Sequence, residues 1–276
     1  MECSSQSSND WNQKPTLISK YKTYFESWLS MPIEQVEQAD GIILSAHAAR
    51  YLKPKERLVY RPLCAFKTDN ALLISCIPEW ETELQKMLKG TSTEDAISLL
   101  KGFAINHPFV NDESWMFYGL DTVRTGIDTS GFVQLNYSQY EVFYNYRKAV
   151  NPFLYSFLGV PKWTEQDFAE MVDSNVHFCV IDDSKIVCAT ESEAIPNKPE
   201  SVINLGVNTL AEYRRKGYAS SACMAFIQHQ VGQGALPVWQ CDFDNYISQA
   251  LAQKLGFRYL GNVFFIATLA EFWKAK

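Results

Sequence analysis

The stretch "LGVNTLAEYRRKGYASSACMAFI", residues 205–227, decides how this chain is interpreted. An alternating run rich in β-branched residues ends at Thr209, and three consecutive cations at positions 214–216 then lead to a single glycine, Gly217. From about Tyr218 onward, small and apolar residues recur at the i, i+3, i+4 and i+7 spacing of a helix. The stretch therefore predicts a strand, a basic glycine loop and the first turns of a helix.

A strand that enters a helix through such a loop directs several backbone N–H groups at one point. Those donors have no acceptor within the helix, and the helix dipole adds positive potential, so the arrangement is a typical anion site. A glycine lets a phosphate approach because it has no Cβ. The loop therefore predicts pyrophosphate binding, although neither a Walker loop nor a GxGxxG motif is present. Its predicted residues are Arg214, Arg215, Lys216, Gly217, Tyr218, Ala219 and Ser220.

Composition limits the classes of function. The chain has 276 residues, 47% hydrophobic and 20% charged, which is ample for two globular domains. A net charge of −6 argues against nucleic-acid binding. No apolar run approaches the roughly 20 residues of a membrane span, and the N-terminus has no secretory signal pattern. We expect a cytoplasmic protein without a nucleic-acid or membrane partner.

Cysteine and histidine usage predicts no metal site. The seven cysteines include no CxxC pair, and the four histidines show no ligand spacing. Scattered cysteines in apolar runs are typical of reduced, buried thiols in a cytosolic protein.

The second half of the chain, residues 131–276, predicts an α/β domain with the order β-α-α-β-β-β-α-β-α-β. Thr164 with Asp167 three residues later indicates the start of one helix, and Gly256 indicates the end of another.

The first half, residues 18–130, predicts a second α/β lobe, preceded by a disordered segment, 1–17. The boundary is expected in the turn-forming stretch 124–131. The predicted elements are a helix within 33–52, a strand pair at 58–66 and 70–78, helices at 79–90 and 93–104, and a strand within 113–123.

Two motifs carry a family resemblance. The spacing R-x-x-G-x-A at Arg214, Gly217 and Ala219, preceded by V-x-T ending at Thr209, resembles the acetyl-CoA signature of the GNAT superfamily of N-acetyltransferases. A second segment, "WQCDFDNYISQALAQKLGF" at 239–257, resembles the other half of that signature. The resemblance covers about residues 131–270.

The resemblance implies a fold and a reaction. The fold is α/β: a C-terminal GNAT domain with a mixed, splayed central sheet flanked by helices, and an N-terminal, degenerate GNAT-like lobe. The pattern looks most like a two-lobed subgroup that includes self-resistance acetyltransferases for antibiotics of the zwittermicin and paenilamicin type. The implied activity transfers acetyl from acetyl-CoA to a primary amine of a small molecule, in a monomer or homodimer that confers antibiotic resistance.

The resemblance also implies where acetyl-CoA lies. Its pantetheine arm is expected in a gap between the strands at 202–209 and 237–243, with its thioester polarised by a backbone N–H. The implied contacts, besides the basic glycine loop, are Val207, Asn208, Thr209, Asn245 and Ser248.

The catalytic groups depart from the family pattern. The strand that carries the general base in many relatives offers only Asn204, Gly206 and Asn208, and the usual tyrosine falls at Ala252. Candidates for the base are Glu191 and Glu193, which share one face of the neighbouring strand; both are equally explained as exposed strand-end carboxylates. Ser248 and Tyr246 are candidates for the acid that protonates the thiolate, and Ser248 is equally explained as a CoA contact.

Because these groups are missing, two other functions stay open. One is a CoA-binding sensor or assembly module without catalysis, and the other is a protein N-acetyltransferase. Aromatic residues of the first half are candidates for a substrate cleft, although such residues are more often core: Trp80, Trp115, Phe117 and Tyr118.

Overall fold

The computed structural model describes residues 14–51, 59–105, 110–152, 164–174, 176–193 and 202–269. The N-terminal part contains α1 (Lys14–Lys20), α2 (Lys22–Leu29), α3 (Ile33–Glu37), β1 (Gly41–Ala46), β2 (Val59–Lys67), β3 (Ala71–Cys76), α4 (Glu81–Leu88), α5 (Thr93–Ile105) and β4 (Val110–Leu120). The C-terminal part contains β5 (Phe132–Gln134), α6 (Tyr140–Val150), α7 (Glu165–Ser174), β6 (Phe178–Asp182), β7 (Lys185–Glu193), β8 (Val202–Thr209), α8 (Tyr218–Gly232), β9 (Leu236–Cys241), α9 (Tyr246–Leu255) and β10 (Phe257–Leu269).

The predicted order of the C-terminal part is confirmed from β5 to β10. The capping box before α7 is present, because the Asp167 N–H donates to Thr164 Oγ1 at 3.1 Å and the Thr164 N–H donates to Asp167 Oδ2 at 2.6 Å. Helix α9 ends at Gly256, whose φ of 98° is the left-handed conformation that favours glycine.

The helix predicted within 33–52 is present as Ile33–Glu37, but it is short. Gly41–Ala46 is instead a strand that pairs in parallel with β3, and Ala48–Tyr51 forms a 3₁₀ turn. A short apolar run such as "GIILSA" fits a buried strand and a helix equally well by periodicity. The neighbouring strand β3 decides the outcome by supplying a backbone ladder.

Helices α1 and α2 are absent from the sequence-based expectations. The segment predicted as disordered, 1–17, lies outside the described residues up to position 13, and positions 14–17 are helical. Tyr21, Tyr24 and Phe25 are fully or almost fully buried against the sheet. The hydrophobic burial of these aromatic rings holds the two helices in place.

A single ten-stranded sheet runs through the molecule in the order β1-β3-β2-β10-β4-β9-β8-β7-β6-β5. The last strand, β10, lies between β2 and β4 and is antiparallel to both. Strands from both sides of residue 131 therefore share one sheet. The division into lobes at 18–130 and 131–276 stays a prediction.

Helices cover both faces of the sheet. On one face, α1 to α3 pack over a core that includes Phe66, Phe117 and Val238. On the other face, α4 and α5 cover β2, β3 and β10, while α8 and α9 pack over a core that includes Tyr118 and Trp239. Within the described residues, no helix combines the length and the hydropathy that a membrane span requires.

The described cysteines are all buried free thiols: Cys64, Cys76, Cys179, Cys188, Cys223 and Cys241. Burial raises the pKa of these thiols, for example to about 12 at Cys179. This agrees with the predicted packing role of Cys223, which is completely buried. Cys3 lies outside the described residues.

Candidate active site

The sheet opens between β8 and β9. The two strands pair in parallel only where Val202–Asn204 faces Leu236–Val238, although β8 continues to Thr209 and β9 to Cys241. Beyond this short ladder the strands diverge and leave two unpaired backbone edges. The predicted splayed junction of the central sheet is confirmed.

The direction of the β8 peptide groups follows from one hydrogen-bonded tyrosine. Tyr146 Oη donates to the Asn208 carbonyl at 2.8 Å and accepts from the Ala189 N–H at 3.2 Å. The Asn208 peptide therefore faces β7, and by strand alternation those of Val207 and Thr209 face the open gap. An extended ligand in the gap would meet N–H and C=O groups from these two residues.

The basic glycine loop lies at the end of this gap. Gly217 is the N-cap of α8 with φ 88°, and Ser221 makes the first helical hydrogen bond to its carbonyl at 3.1 Å. The N–H groups at 218–220 have no acceptor among the described residues. These donors converge at a helix start, which is the geometry of an anion site.

Positive charge surrounds these donors. Arg214 and Arg215 line the same cavity as Gly217, and the Arg214 Nε–H donates to the Thr209 carbonyl at 3.2 Å. Lys254 lies on α9 and donates to Ser220 Oγ at 3.0 Å, so it adds a cation that sequence analysis did not assign to the site. Lys216 instead places its ammonium 4.7 Å from the centre of the Tyr213 ring, outside the cavity lining.

Helix α9 contributes the second motif. The Asn245 side chain caps the helix by accepting from the Ser248 N–H at 3.1 Å. Ser248 Oγ accepts from the Trp239 indole N–H at 2.9 Å, and the side chain also interacts with the Cys241 thiol; all three residues line the cavity. Tyr246 is 72% exposed and lies outside the cavity lining, so its predicted acid role has no support in the geometry.

These features open into one cavity of about 1040 Å³. It extends from the basic glycine loop through the gap to the N-terminal part of the chain. Lining residues that sequence analysis did not assign to it include Tyr24, Trp28, Arg50, Arg61, Cys64, Gln240, Asp242 and Phe265. We name the end of the cavity formed by Tyr24, Trp28, Arg50, Arg61, Cys64, Trp115 and Phe265 the arginine end.

Of the four aromatic residues predicted as cleft candidates, Trp115 lines the arginine end. Trp80, Phe117 and Tyr118 are 0–6% exposed and belong to the hydrophobic cores. Trp115 and Phe117 share one face of β4, so local pattern does not separate them; the packing of α2 over Phe117 does.

Glu191 lines the cavity beside the gap. It lies opposite Gly206 on β8, and Gly206 presents no side chain between this carboxylate and the gap. Burial raises the pKa of Tyr146, and the nearby charge of Glu191 raises it further. Glu193 lies opposite Asn204, but its side chain is outside the described residues.

The predicted CoA residues thus meet at one place, apart from Lys216. The cavity lining includes Val207, Asn208, Thr209, Arg214, Arg215, Gly217, Tyr218, Ala219, Ser220, Asn245 and Ser248. Their roles toward a ligand stay predictions.

Comparisons with known proteins bear on the fold. Residues 156–263 match the family model of GNAT acetyltransferases. A GNAT-family acetyltransferase from Colwellia psychrerythraea has a TM-score of 0.52 at 15% identity, over 96% of this chain and 98% of that chain. A GCN5-related N-acetyltransferase-like protein from Streptococcus suis 89/1591 has a TM-score of 0.44 at 14% identity, over 93% and 99% of the two chains.

Other similarities are partial or absent. An aminoglycoside N-acetyltransferase, AAC(6')-Iy, solved in complex with CoA, has a TM-score of 0.38 at 22% identity and covers 46% of this chain and 86% of that chain. No curated protein sequence matches. Residues 156–263 match the GNAT acetyltransferase family, and the chain as a whole has the fold of a GNAT protein.

Proposed function

We propose that the protein is an N-acetyltransferase that uses acetyl-CoA to acetylate a primary amine of a small molecule. The observation that carries this proposal is the continuous cavity. It joins an anion site at Gly217 to the arginine end through the gap between β8 and β9. A long ligand with a phosphorylated end and a reactive end matches that shape.

The anion site fits the pyrophosphate of acetyl-CoA. Backbone N–H groups at the start of α8 supply donors, while Arg214, Arg215 and Lys254 supply positive charge. The open edge at Val207 and Thr209 can bind the amide groups of the pantetheine arm in the manner of an added strand. The thioester then lies in the gap, with a β8 N–H to polarise its carbonyl.

The proposed catalytic groups lie on either side of the gap. Glu191 on β7 accepts a proton from the incoming ammonium, directly or through a water molecule, and its charge attracts the cationic form beforehand. The Ser248 hydroxyl donates toward the leaving thiolate, since the Trp239 indole already occupies one of its lone pairs. The amine attacks the thioester directly, so no cysteine nucleophile is required.

The amine-bearing antibiotics of the resembled subgroup are the proposed acceptor class, with resistance as the outcome and the cytoplasm as the location. A compact acceptor is proposed rather than a protein terminus or lysine, because Tyr24, Arg50 and Cys64 at the arginine end are buried within the fold. The walls of this end are side chains of α2, β2, β4 and β10.

The test is acetyl transfer by the purified protein across a panel of small amines that includes such antibiotics. Release of free CoA thiol and a mass increase of one acetyl group on the amine are the expected results. CoA that binds tightly but is never consumed with any amine would favour the sensor or assembly module instead. A Glu191→Gln variant serves as the control, because it is expected to bind CoA normally and to react slowly.

A further inference from the structure

Arg50 is a buried cation without a counter-charge. It follows β1 in a single 3₁₀ turn and is 5% exposed. Its Nη1 donates to Cys64 Sγ at 2.9 Å, and its Nη2 donates to the Trp28 carbonyl. Both acceptors are neutral, and Arg50 forms no ion pair within the described part of the chain. Its Nε–H has no hydrogen-bond partner there either.

A second unpaired donor lies at the same end of the cavity. Tyr24 is 1% exposed, and its hydroxyl has no hydrogen-bond partner among the described residues. Burial raises the pKa of this hydroxyl, so it keeps its proton at neutral pH and can donate. Buried polar groups are normally hydrogen-bonded, so two unpaired donors in one cavity indicate a missing acceptor.

A β-bulge brings a second guanidinium to this end. Leu63 pairs with Ile266 and Tyr60 with Thr268, so β2 has one residue more than β10 between these pairs. Such a bulge turns a side chain to the other face of the sheet. Arg61 accordingly lies over the Phe265 ring, with its Cζ 4.5 Å from the ring centre.

The two guanidinium groups act on one thiol. Burial raises the pKa of Cys64, while the charges of Arg50 and Arg61 both lower it. The arginine end therefore concentrates positive charge and hydrogen-bond donors between the rings of Trp28 and Trp115. A buried charge is unfavourable unless it is paired, and Arg50, which has no ion pair among the described residues, cannot lose its proton. A bound anion would remove this penalty.

We propose that the acceptor is an amino acid or a similar zwitterion, whose carboxylate binds Arg50, Tyr24 and Arg61 while its amine faces the thioester. This inference rests on the proposed acetyl transfer for the role of the amine, but the carboxylate site stands by itself. A planar carboxylate accepts hydrogen bonds from two directions, which suits the Arg50 Nε–H and the Tyr24 hydroxyl. Glu191, across the same cavity, suits the ammonium end.

The experiment uses matched pairs in which only the carboxylate differs. β-Alanine, γ-aminobutyrate, ornithine and lysine are each compared with their neutral carboxamides. Dissociation constants are measured by calorimetry with CoA present, and initial rates are measured with acetyl-CoA. At least one acid should bind about 10-fold or more tightly than its amide, as expected of a charged hydrogen bond. The ratio should fall to about one in Arg50→Met.

The controls separate binding from folding. Lys185→Met removes one cation from an exposed position at the start of β7 and should leave the acid-to-amide ratio unchanged. Arg50→Met should retain the melting temperature of the protein without ligand, because the removed charge was buried and uncompensated. If Arg50→Met does not fold, Tyr24→Phe provides the same comparison. It removes one hydrogen-bond donor and should lower the acid-to-amide preference by a smaller factor.

The outcomes distinguish this inference from the proposed function. Acetyl transfer to amines with no preference for any acid over its amide overturns the carboxylate site and leaves the acetyltransferase standing. Binding of an acid that depends on Arg50, without transfer to it, supports the site and counts against the reaction. A preference for succinyl-CoA over acetyl-CoA that depends on Arg50 assigns the anion to the acyl donor and overturns the inference.

Discussion

Replacing Gly217 by alanine tests whether the start of α8 binds the phosphates of CoA. Gly217 has φ 88°, and a Cβ built there meets no atom within 4 Å. The substitution therefore produces no clash in the free protein. A residue other than glycine in the left-handed conformation costs about 1–2 kcal/mol of folding free energy. Alanine also lowers the conformational entropy of the unfolded chain, which offsets about 0.4–1 kcal/mol of that cost. We expect Gly217→Ala to lower the free energy of unfolding by about 1 kcal/mol.

The matched control is at the other end of the same helix. Gly234 follows the end of α8, has φ 80°, and a Cβ there also meets nothing within 4 Å. Gly234→Ala should therefore lower stability by the same amount. The 15 residues of α8 place it about 22 Å from the loop.

The effect on CoA should differ between the two variants. In Gly217→Ala the new methyl group occupies the space that a phosphate needs to reach the N–H groups. Charge-assisted hydrogen bonds contribute about 1.5–3 kcal/mol each, so losing one or two reduces CoA affinity roughly 100-fold. Calorimetric titration with CoA and urea unfolding measure both quantities. Equal CoA affinities in the two variants would refute the assignment of the phosphates to this loop.

Three further predictions concern the base, the loop charges and a buried histidine. Glu191→Gln should lower kcat/KM by roughly 10²-fold and remove the acidic limb of the pH–rate profile, with CoA affinity preserved; an unchanged rate and limb would place the base elsewhere. Arg214→Glu and Arg215→Glu should each weaken CoA binding, and the remaining affinity should depend less on salt than in the wild type; affinities like that of the wild type would contradict this. Burial lowers the pKa of His177 below its unfolded value of 6.5, so the unfolded chain binds a proton more readily. Stability should thus fall as the pH drops below 6.5. Urea unfolding of His177→Gln should show a smaller loss of stability over this pH range than the wild type, and an equal loss would assign the effect to another group.

The C-terminal half of the chain was largely predictable from local patterns. Helix α8, its basic loop and the cap at Asn245 follow from residue spacing and from side-chain chemistry within one or two turns. The capping box at Thr164 is similarly local. Hydrophobic periodicity did not identify the strand at 41–46. There, pairing with a parallel strand distant in sequence decided between helix and strand.

The cavity itself was only partly predictable. Most of its basic end, residues 214–220, is contiguous in sequence, so a motif reveals it, whereas Lys254 joins it from α9. Its arginine end brings together Tyr24, Arg50, Arg61 and Trp115, which share no motif.

The sequence by itself determined the order of the C-terminal elements and the basic glycine loop at the start of α8, because both depend on neighbours within a few residues. Only the tertiary structure decided that β10 pairs between β2 and β4, and that a bulge directs Arg61 over Phe265. These features depend on strand pairing between residues up to about two hundred positions apart, and the register of a pairing is set by both partners together. The arginine end of the cavity is therefore a product of long-range packing, whereas the end at the basic glycine loop is mainly a product of local sequence.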